Sequence, residues 1–221
     1  MSASALVFVT LAFCIFFVKV LPHESRDTAA PKRHAISKKT LIGWGLCFTA
    51  TIQLMFLPSV LPNVFLAYNM GEGMAMKSAG LVVMLYTATA MAGTYLLCRL
   101  ASRVASHRVI ITAGILGTAM QFLLSASPGF VSFVVVRMLQ TAMMAAVIPL
   151  IFSTFSSDQD GRIIGFLNSS RFAGNALGPM IATFILAFSS FNWLYFSIGC
   201  MGLLTLVGYA FSCAGARNSD T

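Results

Sequence analysis

The chain has 221 residues, 58% of them apolar and 9% charged, with 14 Lys and Arg against 6 Asp and Glu. A typical soluble domain is roughly 25% charged, and a helix that crosses a bilayer needs about 20 mostly apolar residues, so the composition argues against a water-soluble enzyme and a chain made mostly of spans is expected. In a soluble protein the net charge of +8 would suggest nucleic acid; here it gathers at one end of the apolar runs, which points to a membrane surface and to no nucleic-acid partner.

Long apolar runs predict an all-α membrane protein with seven spans, at residues 3–22, 41–66, 79–98, 109–127, 130–154, 163–189 and 193–213. The first span has no positive charge ahead of it, so it reads as a true span and not a signal peptide. A basic segment, 23–40, leads to the second span, which holds Pro58, Pro62 and one amide, Gln53. After a Gly-rich loop at 69–78, the third span carries Tyr86 and Thr89. The basic loop 99–108 contains Arg99, Arg103 and Arg108, and a Pro128-Gly129 turn separates the fourth span from the fifth. In the fifth, Arg137 is followed at i+3 and i+4 by Gln140 and Thr141 on the same face.

The sixth span, beyond the polar loop 156–162, carries two patterns. Ser170, Gly174, Gly178 and Ala182 recur every four residues, a stripe of small side chains that lets another helix backbone come close. The expected roles of this stripe are ordinary helix packing or a sliding face between two halves of a larger bundle. Asn168, Arg171 and Asn175 stack on a second face, and Pro179 beside Gly178 marks a place to bend. The seventh span ends in a short tail, 214–221.

With the amino terminus outside, the inner loops and tail hold Lys19, Arg26, Lys32, Arg33, Lys38, Lys39, Arg99, Arg103, Arg108, Arg162 and Arg217, against Lys77 alone outside. The positive-inside rule therefore predicts an inner-membrane protein with its carboxyl terminus in the cytoplasm. The acidic residues Glu24, Asp27, Glu72, Asp158, Asp160 and Asp220 all fall in loops or the tail, so no span carries a carboxylate. Without His, Asp or Glu in a span there is no general base for an intramembrane enzyme, and the five cysteines lack zinc spacing, so neither cofactor nor metal is expected. Arg137 lies about 10 Å into its helix. A guanidinium there costs ~2.5–3.5 kcal/mol unless compensated, and the compensation is expected on a polar cavity wall with a carboxylate from outside this chain.

Three segments carry a family resemblance. Cys98-Arg99-Leu100-Ala101-Ser102-Arg103 through Arg108 is similar to a loop of the form G-R-L-A-D-R-x-G-x-R, with Cys98 and Ser102 in place of the usual Gly and Asp. Arg137-Met138-Leu139-Gln140 is similar to an R-x-x-Q stretch, and Gly165, Gly174, Gly178 and Pro179 keep the spacing of the antiporter pattern G-x8-G-x3-G-P, with Ala182 and Thr183 where two further glycines would stand. Together they resemble the carboxyl-terminal half of a major facilitator superfamily transporter of the multidrug efflux (drug:proton antiporter) branch, preceded by that family's sixth helix. The antiporter pattern is best known in amino-terminal halves; the carboxyl half is preferred for the preceding span, the degenerate first loop and the run Gly174-Asn175-Ala176-Leu177-Gly178-Pro179.

The resemblance implies a sixth helix at 1–22, an inter-half loop at 23–40, a six-helix bundle at 41–213 and a tail at 214–221. It places the second and fifth spans at a substrate cavity and the third and sixth at the contact between halves. It implies alternating-access export of small amphipathic compounds, with the lipid bilayer, the small-molecule substrate and a missing amino-terminal half as partners. Alone, the chain is expected to be a fragment that does not transport; a sugar or metabolite exporter and a non-transporting scaffold remain as alternatives.

Overall fold

Ser37 opens the first described helix: its Oγ accepts from the Thr40 amide at 3.2 Å and so satisfies one of the amino-terminal N–H groups that a helix leaves unpaired. The structure, a computed structural model, describes residues 37–155 and 161–217. The expected span at 3–22, most of the segment 23–40, Asp158, Asp160 and the end of the tail lie outside the described residues. Among the described residues six helices follow one another: α1 Lys38–Ala67, α2 Glu72–Ala101, α3 Ser106–Ser125, α4 Phe130–Phe155, α5 Gly161–Phe188 and α6 Phe191–Arg217. Each contains a stretch long and apolar enough to cross a membrane, and no strand occurs among the described residues.

The helix ends follow local chemistry more closely than hydropathy does. At the end of α1, Asn69 adopts a positive φ of 61°. Its N–H bonds Leu66 O at 3.0 Å while Met70 N–H reaches Phe65 O at 3.3 Å, the paired reverse bonds of a helix terminated by a left-handed residue. The Gly-rich loop expected at 69–78 is correspondingly shorter, because α2 starts at Glu72 with Gly71 as its cap. The basic loop also shrinks to a turn between Ala101 and Ser106, since the helices on either side run into the charged residues.

Short loops do not make neighbours in sequence the best neighbours in space. The most extensive contact joins α5 to α1, then α2 to α4, α3 to α4, α1 to α6 and α3 to α6. Exchanging α1, α2 and α3 for α4, α5 and α6 leaves this set of dominant contacts unchanged. An odd number of crossings separates the members of each exchanged pair, so they run in opposite directions: the bundle consists of two interlocked three-helix repeats of inverted topology.

Close approach at two glycines makes that interlocking possible. A Cβ on Gly174 of α5 would lie 2.7 Å from Thr51 Cβ and 3.0 Å from Phe48 O of α1, and one on Gly93 of α2 would strike the Ala142 backbone of α4. Between the helices the interior divides into two apolar clusters. One gathers Phe56, Leu61, Phe65, Val82, Phe133 and Leu194; the other Leu46, Val109, Ile110, Met144, Val147 and Leu206. The residues that separate them are polar.

Candidate functional site

Gln53 of α1, Gln121 of α3 and Arg137 and Gln140 of α4 are all 0% exposed and form a layer between the two apolar clusters. Buried polar groups without partners are costly, and the layer is held by its own bonds. Arg137 Nη1 donates to Gln53 O at 2.9 Å and also to Gln140 Oε1, and Nη2 donates to Leu54 O at 2.9 Å. Gln140 Nε2 donates to Gln121 Oε1 at 2.9 Å and to Gln53 Oε1 at 3.5 Å, while Gln121 Nε2 reaches Tyr195 O on α6. Thr141 turns its hydroxyl back to Arg137 O at 2.7 Å. Aromatic faces complete the enclosure, with the guanidinium carbon 5.3 Å from the Phe56 ring centroid and 5.1 Å from that of Tyr86.

Leu54 O is available to Arg137 for a covalent reason. The helix partner of that carbonyl would be the N–H of residue 58, and residue 58 is Pro, which has none. Arg137 therefore supplies from α4 the donor that α1 lacks, and the bend-prone segment of α1 is tied to the middle of α4.

Of the residues singled out from the sequence, Gln53, Arg137, Gln140 and Thr141 come together as expected, with Tyr86 against them and Thr89 one turn away, its hydroxyl on Tyr86 O at 2.8 Å. Their setting differs from the expectation in one respect: the layer is sealed inside the bundle and does not line an open wall. In place of a carboxylate, the guanidinium meets two backbone carbonyls, an amide oxygen and two ring faces, all of them neutral. Asn168, Arg171 and Asn175 do not join it; Arg171 and Asn175 are exposed on the far side of α5 and Asn168 is half-buried.

Ser170, Gly174, Gly178 and Ala182 are buried against α1, Gly178 lying beside Met55 and Phe56, so the stripe is a packing surface within this bundle rather than a sliding face toward another. Gly165 is exposed with nothing near its missing Cβ, and Pro179 sits within a continuous α5. Arg99, Arg103 and Arg108 are exposed at one end, and Ser102, standing where an acidic latch is usual, spends its hydroxyl on Arg99 O at 2.7 Å. Gln121 and Tyr195 were not anticipated. Gln121 carried a signal, an amide in mid-span, whereas nothing distinguishes Tyr195 from the other aromatics of its helix.

Inverted three-helix repeats around a buried polar layer, each helix long enough to span a bilayer, define a multi-pass membrane protein of the secondary-transporter class. The model of the Major Facilitator Superfamily matches residues 43–217, and the chain belongs to that superfamily of transporters, which is not an enzyme family. A search of curated proteins returns no match.

Proposed function

We propose that the chain is the carboxyl-terminal half of a proton-coupled exporter of drugs or other small amphipathic compounds. In this reading it works by alternating access against an amino-terminal half, in the inner membrane with the Ala101–Ser106 turn on the cytoplasmic side. The observation that carries this reading is the polar face of α5. Arg171 and Asn175 are exposed there, and Arg171 lies about 15 Å along the helix axis at 1.5 Å per residue, a depth at which facing lipid costs ~2.5–3.5 kcal/mol.

A second bundle against this face would remove that cost. α2 and α5 are also the least covered helices, with 17% of each apolar stretch buried against 39% to 61% in the other four. Arg171, Asn175 and Asn168 are then the residues that meet the other half or the cargo, while the Arg137 layer holds α1 and α4 rigid behind them. Exposed Met84, Met91, Phe172 and Met180 on the same two helices supply adaptable apolar surface, which favours amphipathic cargo over sugars. No apolar run of the sequence carries Asp or Glu, so this reading assigns the proton-carrying group to the partner half.

The test is efflux of a panel of lipophilic cations and sugars from cells producing the chain alone or together with a six-span amino-terminal half of a homologous exporter. Export is expected in the paired cells alone, and Arg171→Ala should weaken co-purification of the two halves. Uphill transport by the chain alone in proteoliposomes would overturn the reading.

A further inference from the structure

The bonds of the polar layer leave a remainder. Arg137 Nε, Tyr195 Oη and Gln53 Nε2 are buried without a hydrogen-bond partner, on residues whose exposures are 0%, 3% and 0%, and Tyr86 Oη, on a residue 6% exposed, has the Arg137 guanidinium beside it, to which it can offer its oxygen but not its proton. All four atoms can donate, and each orphaned donor costs ~1–3 kcal/mol, more where it is charged. They are also associated in space. Both tyrosine hydroxyls lie within electrostatic reach of the guanidinium, the Tyr86 ring stands against it, and Tyr195 meets edge-on, at 6.1 Å, the same Phe56 ring that faces Arg137.

The three acceptors that Arg137 already uses are neutral, so they solvate its charge without cancelling it. Glu72, the one carboxylate among the described residues, is at the amino end of α2 and outside this layer. We propose that Arg137 Nε and the hydroxyls of Tyr86 and Tyr195 form a buried site for a small monovalent inorganic anion, chloride being the simplest. A water molecule in that position could pass its protons to the tyrosine oxygens but would leave the guanidinium charge uncancelled. A halide accepts from every side, donates nothing and neutralises the cation. The enclosure sets the size limit, because a guanidinium with no exposed surface is out of reach of an amphipathic substrate. The ion is therefore a fixed component of the bundle core, separate from any cargo, and its role is to complete the layer that ties α1 to α4.

The experiment is thermal unfolding of the full chain in nanodiscs by calorimetry, in chloride, bromide, nitrate and gluconate at constant ionic strength. Chloride and bromide should raise the midpoint by a few degrees over gluconate, with a saturable concentration dependence. Tyr86→Phe and Tyr195→Phe keep the rings and drop the hydroxyls, and each should lose at least half of that rise; either variant serves if the other does not fold. Bromide in a crystal should give an anomalous peak beside Arg137 Nε. A midpoint that is equal in all four salts, or that climbs without saturation, overturns the proposal, as does a full anion response in both variants. Because no transport is measured, a negative result leaves the exporter reading untouched, and a failure of that reading leaves this one intact.

Discussion

Pro58 and Arg137 share one carbonyl, and the sharing predicts how their substitutions combine. In the native chain Leu54 O accepts from Arg137 Nη2 at 2.9 Å because Pro58 has no N–H to offer it. Pro58→Ala restores the helical donor, so Leu54 O would then be satisfied from within α1. Arg137→Gln should consequently destabilise the Pro58→Ala background less than the native one, by about 1.5–3 kcal/mol for a bond to a charged donor. A double-mutant cycle in denaturant unfolding measures the difference, and strict additivity would mean that the two residues act independently. At this scale the sequence was partly legible. Gln53 and Gln140 stand out because an amide in an apolar run needs a partner, and Arg137 because its charge does. The identity of those partners was not legible: Leu54 O, Phe56 and Tyr195 belong to other helices, and backbone oxygens and aromatic rings leave no mark in a hydropathy pattern.

α5 shows the same division for an element. Its stripe of Ser170, Gly174, Gly178 and Ala182 was visible as a four-residue period, and close packing is what it performs; which helix it meets was not visible, because the period gives the direction of a face and not what lies opposite. The partner is α1, with Thr51 and Phe48 against Gly174. Gly174→Val should therefore push the two helices apart, at the ~1–3 kcal/mol typical of overpacking, and lower the midpoint of unfolding. Gly165 belongs to the same glycine pattern but has nothing within 4 Å of a new Cβ, so Gly165→Ala should leave the midpoint unchanged or raise it slightly, since Ala is the better helix former. If both substitutions cost the same, helix propensity and not the α1 contact governs the stripe. The start of α2 illustrates the opposite failure. Glu72, Gly73 and Lys77 are polar or flexible enough to read as loop, yet they extend the helix because Gly71 caps it and Glu72 suits the positive end of its dipole.

Across the whole bundle, the charge distribution and the helix order make one joint statement about orientation. Lys38 and Lys39 open α1, Arg99 is in the last turn of α2, Arg103 lies in the turn that follows, Arg108 is in the first turn of α3 and Arg162 opens α5, and successive crossings bring all of these to one end, with Lys77 near the other. The positive-inside rule predicts that this end faces the cytoplasm. Ser102 and Ser190 are both exposed, in turns at opposite ends of the bundle, so they provide matched reporters. In a background with Cys47, Cys98, Cys200 and the other cysteines replaced, Ser190→Cys should react with a membrane-impermeant maleimide added to intact cells. Ser102→Cys should react only after the membrane is opened. The reversed pattern would turn the bundle over and place the exposed arginines of the α2–α3 turn outside. It would leave the assignment of α2 and α5 to an inter-half contact standing, because that rests on how little of these two helices the bundle covers and on the exposed Arg171 and Asn175, whichever end faces the cytoplasm.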